Sequence, residues 1–161
     1  MRRMSNMKTI IKRMSVQLVK ESSHKYDVPR TLHSPEDAAE FIKSVIDFDT
    51  VPCELFIVVP IDSKSKPLCV TVVTKGTLNC SLVHPREVFQ PCLLANAAAC
   101  FVFHNHPSGD VTPSREDKAI TERLVKAGHI LDVPVLDHII VGDNFYSFRT
   151  DGTERRCNII W

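Results

Sequence analysis

The sequence predicts a single α/β domain in which helices pack on a mixed β-sheet. Segments with helical periodicity alternate with short apolar runs rich in β-branched residues, and this alternation is typical of the class. The chain of 161 residues has room for one domain and is long enough to bury its own core. No apolar run reaches the ~18 residues that a transmembrane helix requires, so no membrane partner is expected.

The first half of the predicted domain is a helix followed by a β-hairpin. Ser34 is a preferred N-cap residue, Pro35 suits the first helical position, and acidic residues follow in the first turn. The apolar run over residues 54–62 predicts one strand, and residues 68–76 predict a second. The polar stretch DSKSKP between them is typical of a turn, so we expect the two strands to pair.

The second half of the predicted domain contains two helices and three strands. A helix is expected from near Pro85, with a kink at Pro91 because proline has no backbone N–H. Residues 99–103 are all apolar and predict a buried central strand, and residues 114–131 predict a third helix. Two strands joined at residues 142–144 close the domain. The apolar face of the third helix is expected to contain Ala119, Ile120, Leu124 and Ala127.

The two ends of the chain are predicted to lie outside this domain. Residues 1–30 form a basic N-terminal arm, residues 31–150 form the domain, and residues 151–161 form a C-terminal tail. The net charge of the whole chain is only +1, so the basic character is local, and the arm is expected to be solvated, to contact nucleic acid weakly or to dock on an acidic partner. The basic residues of the arm's first half are Arg2, Arg3, Lys8, Lys12 and Arg13.

The cysteines indicate the compartment. The chain has six cysteines, none of them in a CxxC pair, and most lie inside apolar runs. Buried, reduced thiols are therefore predicted, which favours a cytoplasmic protein.

Two histidines follow the predicted central strand. Residues i and i+2 of a strand share a face, so His104 and His106 can point the same way. Two imidazoles suit a divalent metal such as zinc, and Asp117, in the first turn of the next helix, offers a third ligand. A His₂Asp set leaves one tetrahedral position open to water, which is typical of catalytic zinc sites.

The same residues also permit a structural interpretation. Ser114 and Asp117 match a capping-box variant at the start of the third helix. His138 is predicted to be a structural histidine near the start of a strand, or else to line the site, and His84 to cap or pack at the second helix. The contiguous letters HNH do not indicate a nuclease, because the residues that define that class are dispersed over a ββα unit.

The spacing H-x-H-x7-S-x2-D resembles the JAMM motif of the JAB/MPN metallopeptidase-like domains. The stretches VHPREVF, NAAA, HNHPSGD, TPSRED, LVKAG and LDHIIVG together resemble the RadC family over roughly residues 31–150. The resemblance implies a single zinc-bearing α/β domain with a curved mixed sheet flanked by helices, similar to the architecture of the cytidine deaminases.

The resemblance also implies a role for each site residue. His104, His106 and Asp117 would ligate Zn²⁺, Ser114 would steady the oxyanion, and Glu54, which matches the family's glutamate on the first strand, would be the general acid/base. The implied activity is zinc-dependent hydrolysis of an amide or isopeptide bond by activated water. Its substrate would be a protein or conjugate that the sequence does not identify.

Two other hypotheses stay open at this point. RadC proteins are customarily labelled DNA repair proteins, so the chain could be a repair or recombination accessory with a structural or idle zinc site. Longer members carry an N-terminal helical region with helix-hairpin-helix character, which residues 1–30 lack, so the chain resembles the short forms on mobile elements. This hypothesis predicts salt-sensitive DNA retention that is lost when residues 1–14 are deleted. The third hypothesis is an interaction scaffold whose intact site is idle.

Overall fold

The computed structural model describes residue 15, residues 17–76 and residues 83–151. Described residues 17–30 of the N-terminal arm form no helix or strand, and almost all are exposed. Residues 1–14 and residue 16 of the arm and residues 152–161 of the predicted tail lie outside the described residues, as do Cys80 and Cys157.

Five strands form one mixed, open sheet within the described residues, which confirms the predicted fold class. They are β1 (Glu54–Ile61), β2 (Thr71–Gly76), β3 (Ala99–Asn105), β4 (Val135–Val141) and β5 (Phe145–Ser147). Their order is β2-β1-β3-β4-β5, so β3 is the central strand, as predicted. β1 pairs antiparallel with β2 and β3, β3 runs parallel to β4, and β4 pairs antiparallel with β5.

Two strands differ in length from the prediction. β3 continues beyond residue 103 through His104 and Asn105, because both residues are buried and still pair with β4. β2 begins at Thr71 instead of residue 68. Pro67 lacks a backbone N–H and makes only an isolated bridge with β1, so regular pairing starts later in this edge strand.

Three α-helices lie in the described residues. They are α1 (Pro35–Val45), α2 (Pro85–Leu94) and α3 (Arg115–Ile130), and a single 3₁₀ turn, Phe48–Thr50, follows α1. α1 begins at Ser34 with a complete capping box, as its sequence predicts. α2 begins after His84, whose side chain makes no capping bond, and runs on through the buried Pro91.

The buried face of α3 differs from the predicted one at one position. Ile120 and Leu124 are buried as expected and Ala127 is half-buried, but Ala119 is exposed. The stripe that faces the sheet is centred one residue further along, so Ala119 lies toward solvent. The buried residues of α3 are Asp117, Ile120, Thr121, Leu124, Val125 and Gly128.

The sheet separates two apolar layers, and this separation positions the site. α1 packs with alternate residues of β1, β3 and β4 on one face, including Phe101 and Phe103. α2 and α3 pack on the other face, against Phe56, Cys100 and Val102. Because side chains alternate along β3, His104 lies on the same face as Val102, toward α3.

The described part of the chain also bears on two expectations about its environment. No described helix is long and apolar enough to cross a membrane. The four described cysteines are free thiols; Cys92 and Cys100 are buried, and Cys53 and Cys69 are half-buried.

Candidate metal centre

The central strand and the start of α3 bring the three predicted ligands together. His104 and Asp117 are each only 1% exposed, and His106 is half-buried just beyond the end of β3. The two Nε2 atoms of His104 and His106 lie 3.0 Å apart. Asp117 Oδ1 lies 3.3 Å from His104 Nε2, and Asp117 Oδ2 lies 3.6 Å from His106 Nε2. We refer to His104, His106 and Asp117 as the three-ligand cluster.

The geometry of the three-ligand cluster fits a small divalent metal. Ligand bonds of about 2.0–2.1 Å in a tetrahedral site place neighbouring ligand atoms about 3.3–3.4 Å apart. The two histidine nitrogens lie 3.0 Å apart and His104 Nε2 lies 3.3 Å from Asp117 Oδ1, which is close to this value, and one ligand atom from each of the three residues lies within 4.8 Å of the others. Two imidazole nitrogens and one carboxylate oxygen are also ligands that zinc accepts readily, so the cluster could hold a metal ion.

The tautomer of His106 is set by the loop that follows it. Its Nδ1 lies 2.6 Å from the carbonyl oxygen of Asp110, which can only accept, so Nδ1 carries a hydrogen. The Nε2 lone pair of the neutral ring therefore faces the cluster. A hydrogen bond to Asp117 is the main cause that raises the pKa of His106, with burial acting in the opposite direction. A proton and a metal would compete for this nitrogen.

Asp117 is both a member of the cluster and part of a helix cap. Its Oδ2 accepts hydrogen bonds from Ser114 N at 2.8 Å and from Ser114 Oγ at 2.6 Å. Its own N–H donates to Ser114 Oγ at 3.0 Å, which completes the capping box at the start of α3. The structural interpretation of these two residues is therefore correct, and it is compatible with metal binding because Oδ1 faces His104.

His138 lies behind the cluster and contacts one of its members. It is fully buried in the middle of β4, not near the start of the strand, and its Nε2 is 2.8 Å from His104 Nδ1. Burial is the main cause that lowers the pKa of His138 well below its usual range. The ring of Phe148 stacks on His138 at 4.9 Å, so His138 supports His104 from within the core.

Asn105, between the two histidines, points to the opposite side of β3 and fixes the start of β1. Its Oδ1 accepts from Leu55 N at 2.8 Å, and its Nδ2 donates to the Cys53 carbonyl at 3.2 Å. These two backbone groups flank Glu54. The asparagine of the HNH stretch thus anchors the backbone on either side of Glu54.

An open cleft begins beside His106. It has a volume of about 610 Å³ and lies between the 46–52 segment, the 105–109 segment and the turn after β4. Lys43 holds one wall in place, because its ammonium group donates to the carbonyls of Gly142 at 3.1 Å and Asn144 at 3.2 Å. Of the three-ligand cluster, only His106 lines this cleft.

Comparison with known protein families supplies the identification. The sequence matches the family model described as the RadC-like JAB domain over residues 32–153, which is most of the chain. The chain belongs to this family. The match agrees with the resemblance found in the motifs around the three-ligand cluster.

Curated relatives of this RadC-like JAB domain bear the name UPF0758 protein. The chain is 48% identical to one from Rubrobacter xylanophilus over 99 residues, which is 62% of this chain and 44% of the relative. It is 43% identical to one from Desulforamulus reducens over 122 residues, covering 75% of this chain and 53% of the relative. One from Methanosarcina acetivorans is 50% identical over 103 residues, covering 63% and 45%. The chain therefore spans about half the length of these relatives.

Glu54, for which the RadC resemblance implies catalysis, lies two residues before Phe56, which pairs with His104 of β3. It is half-buried as the first residue of β1, opposite Gly76 of β2. After the larger contribution of Asp117, the charge of Glu54 also helps to raise the pKa of His106. Its role as general acid/base stays a prediction.

Ser114 is exposed at the N-terminus of α3. Its predicted role, stabilisation of an oxyanion, requires its hydroxyl to rotate. Its hydroxyl donates to Asp117 Oδ2 at 2.6 Å. To steady an oxyanion, the same hydroxyl would have to turn its hydrogen away from Asp117. The oxyanion role therefore also stays a prediction.

Two buried polar residues near the site, Asn105 and Thr121, have no part in the sequence prediction. Thr121 is fully buried and follows Asp117 by one helical turn. A polar residue within the buried stripe of α3 is the signal that could have indicated it. Asn105 stands within the HNH stretch itself, but its partners Leu55 and Cys53 are 50 and 52 residues away in sequence.

Proposed function

We propose that this RadC-like JAB domain is a zinc-dependent hydrolase of amide or isopeptide bonds. The observation that carries the proposal is the three-ligand cluster, which lies at the end of the central strand and borders a cleft at His106. A structural zinc site is usually closed by a fourth protein ligand, whereas this cluster offers three from the described residues. Three protein ligands beside an accessible cleft are the arrangement that hydrolytic zinc sites use.

The metal would be held by His104 Nε2, His106 Nε2 and the carboxylate of Asp117. A donor set of two imidazoles and one carboxylate favours zinc over calcium or magnesium, which prefer oxygen ligands. When bound, zinc in such a site supplies Lewis-acid activation of water and of a carbonyl group.

Glu54 would act as the general base and then as the general acid of the reaction. Hydrolysis of an amide adds water to the carbonyl carbon and breaks the C–N bond, so one proton must pass from water to the leaving nitrogen. A carboxylate beside the cluster can take that proton and then deliver it to the departing amine. The position of Glu54 at the start of β1, on the face of the sheet that holds His104, supports this role.

Ser114 would stabilise the charge that develops on the carbonyl oxygen. Its hydroxyl is at the N-terminus of α3, where a donor and the helix dipole both favour negative charge. During the reaction the Ser114 hydroxyl would rotate, so that it donates its hydrogen bond to the substrate oxygen instead of to Asp117.

The substrate we propose is an extended protein segment or conjugate that occupies the cleft. The charged side chains that line the cleft are Lys43, Asp47, Asp49 and Asp143, so acidic groups predominate. The Lys43 ammonium group is already bonded to two carbonyls. Segments with a basic residue near the scissile bond should therefore bind better than acidic ones.

The proposal is tested by hydrolysis with zinc-loaded protein. Peptides and lysine-linked isopeptides are incubated with the full chain, and the products are identified by mass spectrometry. Glu54→Gln should keep its zinc and lose about 10²–10⁴-fold in rate, because it removes only the proton carrier. Glu40→Gln changes an exposed acid of α1 and is the matched control, with the wild-type rate expected. A zinc-loaded wild type that cleaves none of these bonds, or a Glu54→Gln variant with the wild-type rate, would contradict the proposal.

A further inference from the structure

A buried chain of hydrogen bonds connects the backbone of Asp117 to the ring of His104. Thr121 Oγ1 lies 2.5 Å from the carbonyl oxygen of Asp117 and 2.6 Å from His138 Nδ1. His138 Nε2 in turn lies 2.8 Å from His104 Nδ1. Thr121 and His138 are both 0% exposed. We refer to these three contacts as the relay.

The direction of the first hydrogen bond in the relay follows from its acceptor. The Asp117 carbonyl can only accept, so the Thr121 hydroxyl must donate to it. A hydroxyl has one hydrogen, and this bond uses it. The Thr121 oxygen can therefore only accept from His138, which places a hydrogen on His138 Nδ1.

The remaining contact follows from the surroundings of His138. The ring is fully buried and its described hydrogen-bond partners are a hydroxyl and another imidazole, with no carboxylate among them to pair with a charge, so it carries one hydrogen only. With that hydrogen on Nδ1, His138 Nε2 is an acceptor and must receive the hydrogen of His104 Nδ1. His104 is then left with a lone pair on Nε2, which is the nitrogen that faces His106 and Asp117.

The opposite direction is excluded by the distance between two oxygens. If Thr121 donated to His138, no hydrogen would lie between Thr121 Oγ1 and the Asp117 carbonyl oxygen. Two oxygen lone pairs would then face each other at 2.5 Å in a buried site, which is strongly repulsive. Only one orientation of the relay satisfies all of its members.

We infer that Thr121 and His138 are positioning residues that lock His104 in the tautomer whose Nε2 binds the metal. The inference deepens the proposed function and rests on its metal site. Asp117 acts twice, since its carboxylate belongs to the three-ligand cluster and its carbonyl sets the tautomer of His104 through the relay. Metal binding would then need no tautomer exchange in a buried ring, and such support for a ligand commonly strengthens metal affinity.

The tautomers can be measured directly in the metal-free wild type. Long-range ¹⁵N–¹H correlation spectra of the histidine rings distinguish a hydrogen on Nδ1 from one on Nε2. The relay requires that His104 and His138 both carry their hydrogen on Nδ1. A hydrogen on His104 Nε2 in the neutral ring would overturn the inference.

Zinc affinity gives the second readout, by competition with a chromophoric chelator. Thr121→Val keeps the shape of the side chain but removes the hydroxyl, and should weaken zinc binding about 10–100-fold. Thr121→Ser restores the hydroxyl and should stay within about threefold of the wild type. Ile139→Val trims a buried neighbour of His138 that packs on the other face of the sheet, so it controls for a general loss of packing.

The outcomes separate the inference from the proposed function. Wild-type zinc affinity in Thr121→Val would overturn the relay, and so would a loss in Thr121→Ser as large as in Thr121→Val. A wild type that binds no zinc would instead contradict the proposed hydrolase, while the ring tautomers would still decide the relay. If Thr121→Val does not fold, the wild-type spectra decide alone.

Discussion

At the scale of single residues, the site is distinguished by polar side chains that are buried where a core ordinarily holds apolar ones. His104, Asp117, Thr121 and His138 all lie inside the domain. An unsatisfied buried polar group costs about 1–3 kcal/mol. Among the described residues, every buried side-chain nitrogen and oxygen has a partner. The network is therefore an organised polar region in an otherwise apolar layer.

Asp137 shows how burial changes the pH dependence of stability. Burial raises the pKa of its carboxyl group to about 6, although hydrogen bonds from Ser147 and from backbone N–H groups oppose the rise. A pKa above the unfolded value means that the folded state holds the proton more tightly. The contribution of Asp137 is thus most favourable below pH about 4 and is lost as the pH rises through about 6, at a cost of about 3 kcal/mol.

Asp137→Asn should remove this dependence, because an amide does not ionise. We expect the stability of the variant relative to the wild type to improve as the pH rises from about 4 to about 6, because over this range the unfolded wild type loses a proton that the folded wild type still holds. Urea unfolding at several pH values measures the difference, and groups common to both proteins cancel. A stability difference that does not change over this range would contradict the assignment.

The residues of the three-ligand cluster could be predicted from the sequence, and those of the relay could not. His104 and His106 are two positions apart on one strand, so the strand period alone places them together. Asp117 follows after a short turn. The relay instead joins residues that are 17 and 34 positions apart, and local patterns do not determine which buried polar groups meet over such separations.

At the scale of elements, the start of α3 has a second task that the start of α1 does not share. Both helices begin with a capping box, Ser34 with Asp37 and Ser114 with Asp117. Only the second box holds a carboxylate that also belongs to the three-ligand cluster. The two helices therefore provide a matched comparison within one chain.

Ser114→Ala and Ser34→Ala should cost similar stability but differ in metal binding. Each variant removes an N-cap hydroxyl, which is worth about 1 kcal/mol in urea unfolding. Ser114→Ala also removes the hydroxyl that donates to Asp117 Oδ2, so it alone should weaken zinc affinity. Equal zinc affinities in the two variants would show that the cap does not orient Asp117.

The sequence predicted which helices and strands form, but not every residue at which they begin or end. Caps and prolines marked the starts of the helices, because these signals are local. The extension of β3 through Asn105 and the exposure of Ala119 depend on which neighbouring elements cover each face. Such tertiary contacts are not encoded in a short window of sequence.

At the scale of the whole molecule, the three-ligand cluster joins elements that are otherwise separate. Its histidines come from the end of the central strand and its aspartate from the first turn of α3. A metal that binds all three would hold this strand and helix together only in the folded state. Metal binding should therefore stabilise the whole domain.

Zinc should raise the unfolding free energy by an amount set by its concentration. At free zinc about 100 times the dissociation constant, the expected gain is about 2.7 kcal/mol, and a chelator should abolish it. Thermal or urea unfolding with and without zinc measures the gain. His106→Ala removes one of the three ligands at a half-buried position, so zinc should stabilise this variant much less than the wild type. An equal gain in that variant would mean that zinc binds elsewhere.

The most direct test of the central claim is the zinc content of protein purified without added metal. Mass spectrometry of the wild type should find about one zinc per chain. His106→Ala and Asp117→Ala, each checked for folding, should have lost it, since each removes one of the three ligands. A wild type without metal, even after zinc is offered, would contradict the account, and Ser114 and Asp117 would then be a helix cap only.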